Sequence, residues 1–404
     1  MTRYGLIPAM LAALATQAAA QGMPSALGDY TSARDGSGTS WQPDLSPHSG
    51  IHTMGQTWMT MTHGLLNLTY DRQGGPRGGS GTYLTGMGML LAQRSLGPGT
   101  LGLKAMISPD PQMGKSGYPL LLASGETADG KTLLVDRQHP HDLFMELAAT
   151  YSLSVGKRSS LFVYGGLPGE PAFGPPAFMH RTSTLDSPEA PISHHWLDST
   201  HITFGVVTAG WVQDAWKVEA SAFRGREPDQ KRYDIETGAL DSRSLRVSWN
   251  PNRSWALQSS WAWIKSPEAL EADIDQQRFT ASALYTRRLQ TGGTWASTLA
   301  VGRKDMVPGD AVWAGLAETA FLPDDHWTYF ARAERVEQAE LGGHHGDIVP
   351  VAKLSAGVIY DTPIADHLKL GVGALVSGYD IRQPLSASYG SPTSQMVFLR
   401  LKIG

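Results

Sequence analysis

Three histidines and an aspartate crowd into a short run of PISHHWLDSTHITFG (residues 191–205): His194, His195, Asp198 and His201. Neutral imidazoles beside a carboxylate suit zinc or copper(II). Ser193 and Ser199 add the hydroxyls a hydrolase would need, but no nucleophile-elbow pattern surrounds either. A second group, VDRQHPHDLF, holds Asp136, His139, His141 and Asp142, and His180 follows Met179 further on. A third, SPHSGIHTMGQTWMTMTHG, holds His48, His52, Met54, Met59, Met61 and His63. Thioether sulfur with imidazole is a ligand set for copper(I) in a chain that has no cysteine. Met59, Met61 and His63 alternate, so in a strand they share one face. Each group also has an ordinary reading. Histidine loops lock through hydrogen bonds, and methionine pads irregular contacts. LGGHHGDI, with His344, His345 and Asp347, reads as a solvated loop.

What positions these groups is a chain whose dominant period is two. In DAWKVEASAFRG, Trp216, Val218, Ala220 and Ala222 share one face, with Lys217, Glu219 and Ser221 on the other. The final segment sets Val397, Leu399, Leu401 and Ile403 against Met396, Phe398, Arg400 and Lys402. The same pattern predicts about sixteen strands. They fall near 60–71, 81–93, 99–108, 142–154, 158–168, 199–212, 214–225, 242–250, 253–265, 275–288, 293–303, 311–321, 326–337, 349–361, 366–378 and 392–403.

The connections sort by length. Alternate links are tight (LGPG, VGKR, VQD, NPN, QTGG, LPDD, DTPIAD), while those between are longer, notably 109–141 and 168–198. Short periplasmic turns and long external loops are what an up-and-down transmembrane barrel requires, and a sandwich has no reason to sort its loops this way. Trp216, Trp255, Trp295 and Trp327 follow tight turns and Trp249 precedes one, a girdle at one interface depth. Trp261, Trp263 and Tyr285 are candidates for the opposite girdle. The expected fold is all-β, an antiparallel up-and-down transmembrane β-barrel.

Composition agrees. Only 17% of the 404 residues are charged, below the roughly 25% of soluble domains. A net charge of −4 with no basic run speaks against a nucleic-acid partner. MTRYGLIPAMLAALATQAAAQ has Arg3, an apolar stretch and Ala18-Ala19-Ala20, which reads as a cleaved signal peptide over 1–20. Residues 21–55 are expected to form a periplasmic N-terminal segment or plug, and 56–404 the barrel.

On this alternation, girdle and loop sorting, the chain resembles Gram-negative outer-membrane β-barrels of porin-like size over roughly 56–404. One departure is its ending, LKIG, where such barrels usually finish on an aromatic residue; Phe398 or Ile403 would then serve the assembly machinery. The resemblance implies the outer membrane as location, its lipid and the barrel-assembly machinery as partners, and a monomer or trimer.

The inferred inner face carries Lys104, Glu146, Lys217, Glu219, Arg246, Arg278, Arg332, Glu334, Lys353, Lys369, Arg400 and Lys402. A mixed, slightly basic interior would line a water-filled channel or pair across a closed one. GLPGEPAFGPPAFMHRTSTLDSPEAP, too proline-rich for helix or strand, is expected either to fold into the pore mouth as a constriction, the favoured reading, or to pack over the outside. His139, His141, His180, His194, His195 and His201 are expected together at the outer mouth, and Met59, Met61 and His63 at the periplasmic end. The expected function is passage of small polar solutes or ions, without enzymatic activity. A metal-linked protein of copper resistance or uptake is the alternative, and an outer-membrane hydrolase a remote one. The residues specify no certain cofactor; copper or zinc are the candidate metals.

Overall fold

The computed structural model describes residues 24–341 and 348–404. The signal-peptide expectation, and His344, His345 and Asp347, lie outside the described residues. A short strand β1 (Ile51–Met54) precedes β2 (Met59–Gln73), β3 (Gly79–Leu96) and β4 (Gly99–Ile107). A separate hairpin follows, β5 (Tyr118–Thr127) with β6 (Leu133–Gln138). Next come β7 (Phe144–Gly156), β8 (Ser159–Gly166), β9 (Val206–Gln213), β10 (Trp216–Phe223) and β11 (Ser242–Asn252). After β12 (Trp255–Ile264) and β13 (Asp275–Arg288) run β14 (Thr294–Val307), β15 (Ala311–Leu322) and β16 (Trp327–Gln338). β17 (Val349–Ala365), β18 (Leu368–Ile381) and β19 (Thr393–Ile403) complete the chain.

Seventeen strands make one sheet, of which β1 is a four-residue edge piece, so sixteen form the wall. Every neighbour is antiparallel, and β19 returns to β2 with Val397 opposite Tyr70 and Leu401 opposite Leu66. The barrel is closed. β1 continues along β2 where β19 stops, pairing Ile51 with Thr62 just beyond Ile403 opposite Gly64. Tight periplasmic turns need residues at positive φ, which Gly97, Arg158, Asp214 and His367 supply.

The wall is inverted relative to a soluble protein. Lys217 is fully buried while its neighbour Trp216 is 48% exposed. Leu245, Leu299, Val301, Leu354, Val372 and Leu399 face outward in the same way. Only a hydrocarbon layer makes that surface favourable, and only closure satisfies its backbone there. Trp216 stacks on Trp249 with ring centroids 5.1 Å apart, Trp255 meets Tyr285 at 4.9 Å, and Trp327 meets Tyr360 at 4.8 Å. Tyr285, opposite Trp255 in register, therefore belongs to the periplasmic girdle and not to the outer one.

Two further expectations change. The strand expected from 199 begins at Val206, because residues 194–201 coil into short helical turns that aim His194 and His201 at Asp198. The link 109–141 contains the hairpin β5–β6, whose Leu120, Leu121 and Leu122 are buried against Val336, Val349 and Val351 of the wall.

Candidate functional site

The lumen is filled from both ends. From outside, the loop 167–205 descends into the barrel, its prolines denying it helix or strand. Its charges meet those of the wall. Arg181 donates to Glu318 at 2.7 Å and to Asp198 at 2.5 Å. Glu189 accepts from Lys353 Nζ and Ser355 Oγ, each at 2.8 Å, and pairs with Arg332 at 3.3 Å. Asp186 pairs with Arg400 and lies 3.9 Å from Lys402. Glu334 accepts from the Ser193 amide and hydroxyl. These groups are nearly all inaccessible to water, and buried charges persist only when paired and hydrogen-bonded.

From the periplasmic side, residues 24–50 enter. Lys217 Nζ donates to the Thr39 carbonyl, Arg34 Nη1 to the Asp214 carbonyl, and the Asn250 amide to the Gln42 carbonyl. Trp41 is buried with Leu27, Phe162 and Val212.

Five histidines gather under the outer mouth. Ring centroids of His194 and His201 lie 5.1 Å apart, His141 and His201 5.3 Å, and His139 and His195 5.6 Å. One nitrogen on four of these rings is held: His194 Nδ1 by Asp198 at 2.7 Å, His141 Nδ1 by Asp110 at 2.7 Å, His201 Nδ1 by the Asp198 carbonyl at 2.8 Å, and His139 Nε2 by Glu126 at 3.1 Å. Burial first, then neighbouring positive charge, lowers the pKa of His139, His195 and His201, so these rings are neutral at pH 7. Buried His195 has an unpartnered Nδ1, and its ring nitrogen lies within 4.8 Å of carboxylate oxygens of Glu227 and Glu268. That trio has the donor types of a zinc site, although Arg278 stands 3.6 Å from Glu227 and opposes a cation there.

His180 is not with them. Met179 and His180 line a separate lumen cavity of about 320 Å³ with His48, Met59, Met61, His63, Met87 and Met89. The cavity reaches the periplasmic turns at Gly292, Gly293, Asp324 and Asp325. His180 was expected at the outer mouth because it sits in the same loop. The loop instead turns at Phe178, which packs against His194, and carries His180 inward.

No protein-family model matches the chain, and no curated protein does. Among solved structures it is similar to OmpF of Salmonella typhi in complex with daunomycin, at 10% identity over 87% of this chain and 100% of that one, with a TM-score of 0.53. It is also similar to the outer membrane channel DcaP of Acinetobacter baumannii, at 9% identity over 88% and 99%, with a TM-score of 0.50. At such identities the likeness is one of fold.

The chain has the fold of a porin-like outer-membrane β-barrel.

With its lipid-facing surface and girdle, this porin-like barrel resides in the Gram-negative outer membrane. Its inward charges are engaged. Lys104 donates to the Gly38 carbonyl and lies 3.5 Å from Glu146; Lys217 and Arg246 both meet Glu219; Arg278 donates to Ser199 Oγ; Arg332 meets Glu334; Lys369 donates to the Asp325 carbonyl. They face a packed interior in this conformation, and the loop carboxylates offset the wall's basic excess. Ser193 Oγ donates to Glu334 and Ser199 Oγ accepts from Arg278, so these two serines do not form the serine–histidine pair of a hydrolase.

Sequence reasoning missed Met87, Met89, Met106 and Met145 as partners of the methionine-histidine segment, and Glu227 and Glu268 as neighbours of His195. Met87 and Met89 alternate on β3 just as Met59 and Met61 do on β2, so that signal was present.

Proposed function

We propose that this porin-like barrel is a gated conduit for small polar solutes or ions, held shut by its own chain. The observation that supports this is the set of buried ion pairs between loop and wall, above all Glu189 with Lys353 and Arg332. Buried ion pairs specify a position but add little net stability over apolar packing. A plug attached through them is well placed yet releasable. The wall strands, by contrast, are tied by continuous ladders.

Conductance in planar bilayers tests the reading. The wild-type protein should show rare, brief openings. A Glu189→Gln/Asp186→Asn variant, losing the loop carboxylates that face four wall cations, should stay open far longer. A wild-type protein that conducts steadily, or a folded double variant that passes no current, would contradict it.

A metal-linked reading is favoured by a different observation, the thioether and imidazole lining of the periplasm-facing cavity.

A further inference from the structure

The cavity near the periplasmic end is built from cross-strand neighbours. His63 on β2 stands directly opposite Met89 on β3, and Met89 directly opposite Met106 on β4. His52 on β1 stands opposite Met61. Directly paired strand residues have Cβ atoms about 5 Å apart, and His63 and Met89 are such a pair with both members lining the cavity, beside Met61 and Met87. The loop adds Met179 and His180 from the other side.

Methionine packing alone would account for the sulfur atoms. It does not account for the nitrogens. His63 Nδ1, His180 Nε2 and His48 Nε2 are buried without a hydrogen-bond partner, and buried polar atoms are rarely left so. A neutral imidazole carries one nitrogen lone pair, so each of these rings has a ligand atom to offer. Neutral sulfur and nitrogen donors select a soft, low-charge cation, whereas hard divalent ions want carboxylate and carbonyl oxygens.

We infer that this cavity binds a soft monovalent metal ion, Cu(I) or Ag(I), through Met61, Met87, Met89, His63 and His180. The ligands extend beyond the cavity. Met87, Met89 and Met179 pack with Met106 and Met145, and that cluster continues to Ile202 and Phe204, beside His201 of the outer histidine group. Thioethers thus extend from the cavity as far as Met145, where the cluster meets Ile202 and Phe204. The inference names the solute class of the proposed conduit, and in that respect it rests on that reading.

The test is competition for Cu(I) between the purified full-length protein and a chromophoric Cu(I) chelator, under ascorbate without oxygen. The wild-type protein should withdraw an equivalent of Cu(I). The Met61→Leu/Met87→Leu/Met89→Leu variant, matched in bulk, should bind more than about 100-fold more weakly, beyond the usual effect of outer-shell changes. A His63→Gln/His180→Gln variant with its methionines intact should weaken binding as well. The inference is overturned if the wild-type protein leaves the chelator loaded, or if the leucine variant, shown folded by heat-modifiable migration on gels, competes as well as wild type. Conductance measured without metal reports on the conduit alone, so the two readings fail separately.

Discussion

Glu189 accepts a hydrogen bond from Lys353 Nζ at 2.8 Å, joining the descending loop to the inner face of β17. The same carboxylate takes Ser355 and Arg332. Its environment holds its pKa below the usual range: burial alone would raise it, but Lys353 and Arg332 outweigh burial. Glu189→Gln leaves Lys353 buried without its anion, whereas Arg332 keeps Glu334, a loss of about 3–5 kcal/mol. Lys353→Met leaves Arg332 and Ser355 in place and should cost less. In the double variant the penalties should be markedly less than additive. Urea unfolding in detergent, read as a double-mutant cycle, measures the coupling; strict additivity would deny the contact its role.

Acidification should loosen the plug. Burial lowers the pKa of His139, His195 and His201, with Arg232, Arg278, Lys304 and neighbouring imidazoles adding to it, while Asp198 opposes the shift for His195 and His201. His180 and His48 are lowered to about 3 and about 4. An imidazole depressed in the folded state binds more protons when unfolded, so stability is lost as pH falls below about 6.5 toward the folded value. For His48 alone the shift is worth roughly 3 kcal/mol. Asp198, kept ionised by Arg181 and His194, stays charged throughout this window. Limited proteolysis of the 167–205 loop should therefore accelerate between pH 7 and pH 4.5. A flat cleavage rate would argue that these rings are not docked.

The pair Glu227 and Glu268 makes an opposite prediction. Burial, then the charge of Glu268, pushes the Glu227 carboxyl well up, and neither of its oxygens has a hydrogen-bond partner. A raised carboxyl binds its proton in the folded state, so stability falls as pH rises above about 4.5. Glu227→Gln removes that dependence. Its melting temperature should exceed that of wild type by a margin that widens from pH 5 to pH 8, with loss of the Arg278 contact reducing the gain. A wild-type protein that is the more stable at pH 8 would show that the carboxylate is needed there.

The wall was readable because its environment writes a simple pattern. Lipid outside and charge inside force alternation, and the segments expected at 275–288 and 242–250 match β13 and β11 within two residues. The plug obeys no such rule. Leu120, Leu121 and Leu122 are consecutive and all buried, since the hairpin β5–β6 has protein on both faces, and the signal of period two disappears. His180 was misplaced because neighbours in a proline-rich loop need not stay neighbours in space. Met89, Met106 and His63 meet through strand register, which depends on how the sheet closes and not on any local motif.

Closure itself is open to test at Leu399. It lies mid-strand on β19, between Val372 of β18 and Leu68 of β2, and is 51% exposed on the outer face. Arginine there places a charge in hydrocarbon at the seam where first and last wall strands meet. At this mid-strand position the expected cost is about 2–4 kcal/mol. On the inner face, Arg400 one residue later is tolerated because Asp361 and Asp186 pair with it. Leu399→Arg should thus lower unfolding free energy in lipid vesicles by an amount that shrinks in short-chain detergent, where the head group reaches water. Equal stability of the variant and wild type in vesicles would mean that this face does not meet lipid, and the outward and inward assignments along β18, β19 and β2 would have to be exchanged.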